Sequence, residues 1–299
     1  HRAIGFGWDI AEDISTAILN FSFVLWVILL LLYLAKLLRH PTAVLDEYLN
    51  PVQGALMALL PLSMLMFVIL LGQPGSAAWL ALTLFALALQ LVIAARVVAM
   101  LSLGQIQHHT ITPALYLPTA ASAFMGAIAM AALGYTGWGA LLFGMGLAAW
   151  ALLEARVLNR LFHGPLPETL RPIIGIEMAP PAAATLAAGA IWHGLPGEVL
   201  IVGLGIASGP VLTVFLRYRL WSKVPFAVGF WSFSFPMAAF AGAMVEVVRR
   251  GHWPALVGGF SLLMASAVIA FLLFRTFILL LNGQLLPPGI SSPSSKQQG

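Results

Sequence analysis

Nine apolar runs, each long enough to cross a lipid bilayer as a helix, dominate this chain of 299 residues. They cover approximately residues 14–38, 52–72, 77–103, 112–134, 138–158, 171–192, 196–216, 224–248 and 254–281. A spanning helix needs about 20 apolar residues. With no water in the bilayer core, the backbone amides of such a run must bond within their own helix. The chain is 61% hydrophobic and only 8% charged, where soluble domains carry about 25% charged residues. The sequence thus predicts an all-α polytopic membrane protein whose short connections pair neighbouring spans as helical hairpins. Residues 1–286 form one transmembrane domain, and the Pro/Ser-rich stretch 287–299 reads as a disordered tail.

Several functional classes drop out early. The net charge is only +4, and the pI near 9.8 reflects scarce charges, not a basic surface for nucleic acid. Without cysteine there are no disulfides, thiolates or Cys-ligated metals. The histidines (1, 40, 108, 109, 163, 193 and 252) fall near span ends, with no i, i+4 pair and no His-Glu-x-x-His. No phosphate-cradling loop and no G-x-S-x-G element is present. The chain is read as a non-enzyme with no metal and no cofactor.

Orientation follows from the cations, which favour the cytoplasmic side. Lys36, Arg39, Arg96, Arg156, Arg160, Arg171, Arg217, Arg219, Lys223, Arg275 and Lys296 fall on one side; Arg2, Arg249 and Arg250 fall on the other. The C-terminus is then cytoplasmic and residue 1 is outside. Residues 1–13 lack an apolar stretch of signal length and carry three acids, so they are not read as a signal peptide. One further span ahead of residue 1 would bring both ends to the same side.

Proline divides the spans. The second carries Pro61, the fourth Pro118, the sixth Pro180 and Pro181, and the eighth Pro236, each well inside its run. The first, third, fifth and ninth have none, and the seventh departs from the alternation with Pro210. A proline removes a donor and clashes with the carbonyl four residues back, so the helix bends. The released carbonyl needs protein or water beside it. An inner ring of kinked helices surrounded by straight ones satisfies that need.

The eighth span concentrates such features in Phe230-Trp231-Ser232-Phe233-Ser234-Phe235-Pro236-Met237, with a bend expected near Ser232. At roughly 100° per residue, Trp231 shares the face of Phe235 and Phe233 points away. Intramembrane charge is the other pointer to function. Arg96, Glu154 and Arg275 lie near cytoplasmic ends, where side chains snorkel and act structurally. Glu177 sits about one turn before the double proline. It is either a proton or cation site or a structural carboxylate, expected to be buried and hydrogen-bonded.

Six segments in order resemble the tellurite-resistance/dicarboxylate transporter family, which includes bacterial TehA and the plant slow-type anion channels. They are Thr112–Thr119, Ala132–Thr136, Trp150–Glu154, Gly175–Pro180, Trp231–Phe235, and Arg275–Phe277 with Asn282–Leu286. The resemblance covers essentially the whole chain. It implies ten helices as five hairpins around one central pore per subunit, a homotrimer in the inner membrane, and both termini in the cytoplasm. This chain shows nine spans, with the family's first helix apparently missing. The second, fourth, sixth and eighth spans then become the inner ones, and the family's gating phenylalanine corresponds to Phe235. Two positions depart from the bacterial pattern: Pro236 stands where bacterial members tend to have glycine, and Glu177 where a neutral residue is expected. The implied function is passive conduction of small anions, gated by Phe235. The alternative is a proton-coupled carrier for C4-dicarboxylates, tellurite or sulfite, with Glu177 as its proton site.

Overall fold

A computed structural model describes residues 10–104 and 111–284, with side chains from residue 15 onward. His1, His108, His109 and the proposed tail at 287–299 lie outside the described residues. The protein is an all-α polytopic membrane protein, with no strand among the described residues. Nine helical segments there are long and apolar enough to cross a membrane. They are α1 (Ser15–Arg39), α2 (Pro51–Leu71), α3 (Ala77–Ser102), α4 (Pro113–Ala132), α5 (Thr136–Phe162), α6 (Glu168–Ile191), α7 (Gly197–Leu216), α8 (Val228–Gly251) and α9 (Ala255–Leu281). A short helix, Pro41–Leu49, joins α1 to α2.

Burial separates two sets. In the most apolar windows of α2, α4, α6 and α8, 44–83% of residues are buried; in the five odd-numbered helices the range is 0–28%. Contacts run α2 to α4, α4 to α6 and α6 to α8, with the odd helices packed outside. Fully covered alanines, among them Ala120, Ala127, Ala182 and Ala183, let the inner helices approach closely. The outer helices expose rows of Leu, Val and Phe such as Leu29, Leu84, Phe85, Leu212 and Phe274. That is the surface hydrocarbon requires.

The inner helices are also irregular, and at one end. Pro61, Pro118, Pro180, Pro181 and Pro236 are all buried. α2 is interrupted at Met57–Ala58, between Pro51–Leu56 and Leu59–Leu71. α4 opens with a 3₁₀ turn at Pro113–Tyr116 and a π turn at Leu117–Ala121. α6 is 3₁₀ from Glu168 to Met178, and α8 from Val228 to Phe233. Each becomes a regular α-helix just before or after its proline.

Polar side chains bond backbone carbonyls beside these breaks. Gln90 Nε2 on α3 donates to Ala58 O at 3.0 Å. Ser122 Oγ donates to Pro118 O at 2.7 Å and Thr185 Oγ1 to Pro181 O at 2.9 Å. Ser234 Oγ donates to Trp231 O at 2.6 Å. α7 remains one α-helix through Pro210.

The helices also outrun the apolar runs. α5 continues to Phe162 and α8 to Gly251, past the cations expected to mark their ends. Arg160 donates to Gly164 O at 2.9 Å, and Arg250 to Gly189 O at 2.8 Å. Charges that find backbone acceptors need not leave the helix for water.

Candidate functional site

A cavity of about 510 Å³ lies between α2, α4, α6 and α8. Met66 and Ile69 of α2, Met125 and Ile128 of α4, Leu186 of α6 and Phe235 of α8 form its apolar wall. Glu246, Arg249 and Arg250 of α8, with His193 just past α6, are its polar lining. An α-helix rises 1.5 Å per residue, so the charged rim begins about 16 Å along α8 from Phe235.

Phe235 is half-buried where the inner helices meet. Its ring packs against three separate apolar clusters. One contains Met64 and Leu65 of α2 with Met125 and Ala129 of α4. A second joins Ala120 and Phe124 of α4 to Ala183 and Ala187 of α6. The third is Ala182, Ala207 and Ala239, from α6, α7 and α8. The side chain stands at the start of regular α-helix, beside the buried Pro236.

Phe233 belongs elsewhere. It is 5% exposed and packs with Phe230, Met178 and Ala265 in a cluster facing α9. Its ring centroid lies 4.9 Å from that of Trp221. Trp231 joins this second neighbourhood, donating through Nε1 to Thr276 Oγ1 on α9 at 2.9 Å. The regular-helix reading, which put Trp231 on the face of Phe235, is therefore corrected. Residues 228–233 are 3₁₀, with about 3.0 residues per turn, so four residues no longer return to one face.

The 3₁₀ segments of α6 and α8 lie against each other. Ser232 Oγ donates to Pro172 O at 2.6 Å. Gly175 makes the approach possible: a Cβ there would fall 2.7 Å from Ser232 Oγ and 2.8 Å from the Phe233 ring.

Glu177 is 3% exposed, and both carboxylate oxygens lie 2.8 Å from Nη2 of Arg217, the residue after α7. Sequence reasoning left this carboxylate without a partner. The two residues are forty positions apart, and nothing local to either announces the pair. Glu154 accepts from Tyr116 OH at 2.6 Å and from Trp150 Nε1 at 3.0 Å. Arg96 donates to Tyr48 O at 2.8 Å, and Arg275 stacks 5.2 Å over the Phe226 ring. The rim residues Glu246, Arg249 and Arg250 were missed as a group, although their i, i+3, i+4 spacing was visible. Among the described residues no three His, Asp or Glu side chains gather as a metal site.

A bundle of irregular inner helices around a cavity that ends in a charged rim is the build of a membrane channel or transporter. The chain belongs to the SLAC1 family of voltage-dependent anion channels, whose model matches residues 3–280. It is similar to the tellurite resistance protein TehA homologue of Haemophilus influenzae, with 28% identity over 293 residues, covering 94% of this chain and 88% of that protein.

Proposed function

We propose that the chain conducts small anions passively along a passage between α2, α4, α6 and α8, and that the Phe235 ring is its gate. The observation that carries this reading is the 510 Å³ cavity, walled by all four inner helices and reaching Phe235. A phenyl ring offers an anion neither charge nor donor and displaces the water it would keep. Stripping hydration without replacement is costly, so such a ring works as a steric and dewetting gate. The buried prolines 61, 118, 180 and 236 let the inner helices change geometry beside the passage.

The second reading is a proton-coupled carrier for C4-dicarboxylates, tellurite or sulfite. The name of the Haemophilus relative and the buried Glu177 favour it. The geometry weighs against it, because Glu177 sits in the contact between α6 and the residue after α7 and is not among the residues lining the cavity. In keeping with the family, the working unit is proposed as a homotrimer in the inner membrane with the C-terminus in the cytoplasm. The domain is taken to span residues 1–286.

Reconstitution into liposomes with chloride, nitrate, sulfite or malate as the permeant anion tests the proposal. Flux that scales with driving force and ignores an imposed pH gradient supports the channel. Saturable flux driven by the pH gradient overturns it in favour of the carrier.

A further inference from the structure

α8 ends in three charges on one face. Glu246 Oε1 accepts from Arg249 Nη1 at 3.1 Å, and Glu246 Oε2 lies 3.2 Å from Arg250 Nε. One carboxylate therefore serves two guanidiniums at the rim of the cavity. The two arginines are not equivalent. Arg250 is committed to the fold, donating to Gly189 O at 2.8 Å and Trp192 O at 3.2 Å, where it covers the end of α6. Its side chain is 17% exposed, whereas that of Arg249 is 49% exposed. Arg249 is thus the rim cation within reach of an ion in water, and its ion-pair partner is Glu246.

We propose that Glu246 limits anion capture at this mouth and so sets the affinity of the passage, a role that rests on the conduction reading above. An anion entering the cavity meets Arg249 already neutralised, and it competes with a carboxylate that cannot diffuse away. The rim of Glu246, Arg249 and Arg250 carries one net positive charge, with His193 alongside. Removing the acid doubles that charge without touching Phe235. Because Arg249 is half-exposed, the field that an approaching anion meets there is screened by salt.

The test is chloride flux into proteoliposomes carrying the full chain, in the parent and in a Phe235→Ala background where the ring does not limit entry. Glu246→Gln keeps an acceptor for Arg250 and removes only the charge. One unit charge about 6 Å from a passing ion in water changes its local concentration about threefold. Initial flux at about 10 mM salt should therefore rise about threefold in Glu246→Gln and fall about threefold in Arg249→Gln, with the double variant near the parent. At about 1 M salt, where screening acts within about 3 Å, all four should converge. A conducting parent whose Glu246→Gln variant is unchanged at low salt, or changed equally at both salts, overturns the proposal alone. If neither background passes chloride at any salt, the conduction reading falls, and this proposal with it.

Discussion

Arg217 Nη2 lies 2.8 Å from both carboxylate oxygens of Glu177, joining the end of α7 to the 3₁₀ half of α6. Glu177 is buried, while the Arg217 side chain is 27% exposed, so one end of the pair is closed off and the other is partly open. Arg217→Leu strands a carboxylate in the protein interior and should cost about 2 kcal/mol. This is below the roughly 3–5 of a fully buried pair because Arg217 is partly screened. Glu177→Gln leaves an amide that Arg217 can still serve, so it should cost about half as much. Thermal unfolding in detergent ranks the two, and an equal or reversed order rejects the account.

Glu177→Gln also separates the two functional readings. Under conduction, anion flux in the variant should stay near the parent value at every pH. Loss of pH-driven uptake in reconstituted vesicles would instead assign Glu177 the proton.

Phe235→Ala should raise basal anion flux several-fold, while yield and oligomer size stay near normal. Phe233→Ala should lower stability by about 3 kcal/mol and leave flux unchanged, because that ring fills the cluster facing α9. Electrophysiology on the two variants decides the assignment. If Phe233→Ala opens the protein and Phe235→Ala does not, the gate has been placed on the wrong ring.

Trp231→Phe keeps an aromatic ring but deletes the donor to Thr276. The expected result is a loss of about 1 kcal/mol with no change in flux. Higher flux in this variant would mean that the contact with α9 holds the passage closed.

Gly175→Ala introduces a methyl group 2.7 Å from Ser232 Oγ and 2.8 Å from the Phe233 ring. Neither neighbour is the far end of a flexible chain, so the 3₁₀ segments of α6 and α8 must separate, at a cost of about 1–3 kcal/mol. Gly205→Ala is the control, since nothing lies within 4 Å of a Cβ at Gly205. Equal melting temperatures for the two variants would show that the approach of α6 and α8 is not tight.

Much of the architecture was legible before any coordinates. Bilayer thickness sets the length of each apolar run, so nine spans could be counted by length and polarity alone. Proline acts on its own helix, so Pro61, Pro118, Pro180 and Pro236 could mark α2, α4, α6 and α8 as a set apart. Glu177 could be expected to be buried and bonded because an exposed carboxylate in hydrocarbon is costly wherever it sits. These properties belong to single segments and survive without knowledge of their neighbours.

The rest depended on which helices meet. The partner of Glu177 is forty residues away because α6 and α7 pack side by side, and no local pattern encodes that meeting. Trp231 left the face of Phe235 because the close approach of α6 and α8 accompanies a 3₁₀ turn where periodicity implied an α turn. Arg249 and Arg250 read only as the charged end of a span, yet tertiary structure placed them, with Glu246, at the rim of a cavity shared by α2, α4, α6 and α8. Hydropathy and proline act through the bilayer and the local backbone, so one dimension is enough to read them. Ion pairs, ring neighbourhoods and cavities are made by surfaces brought together in three.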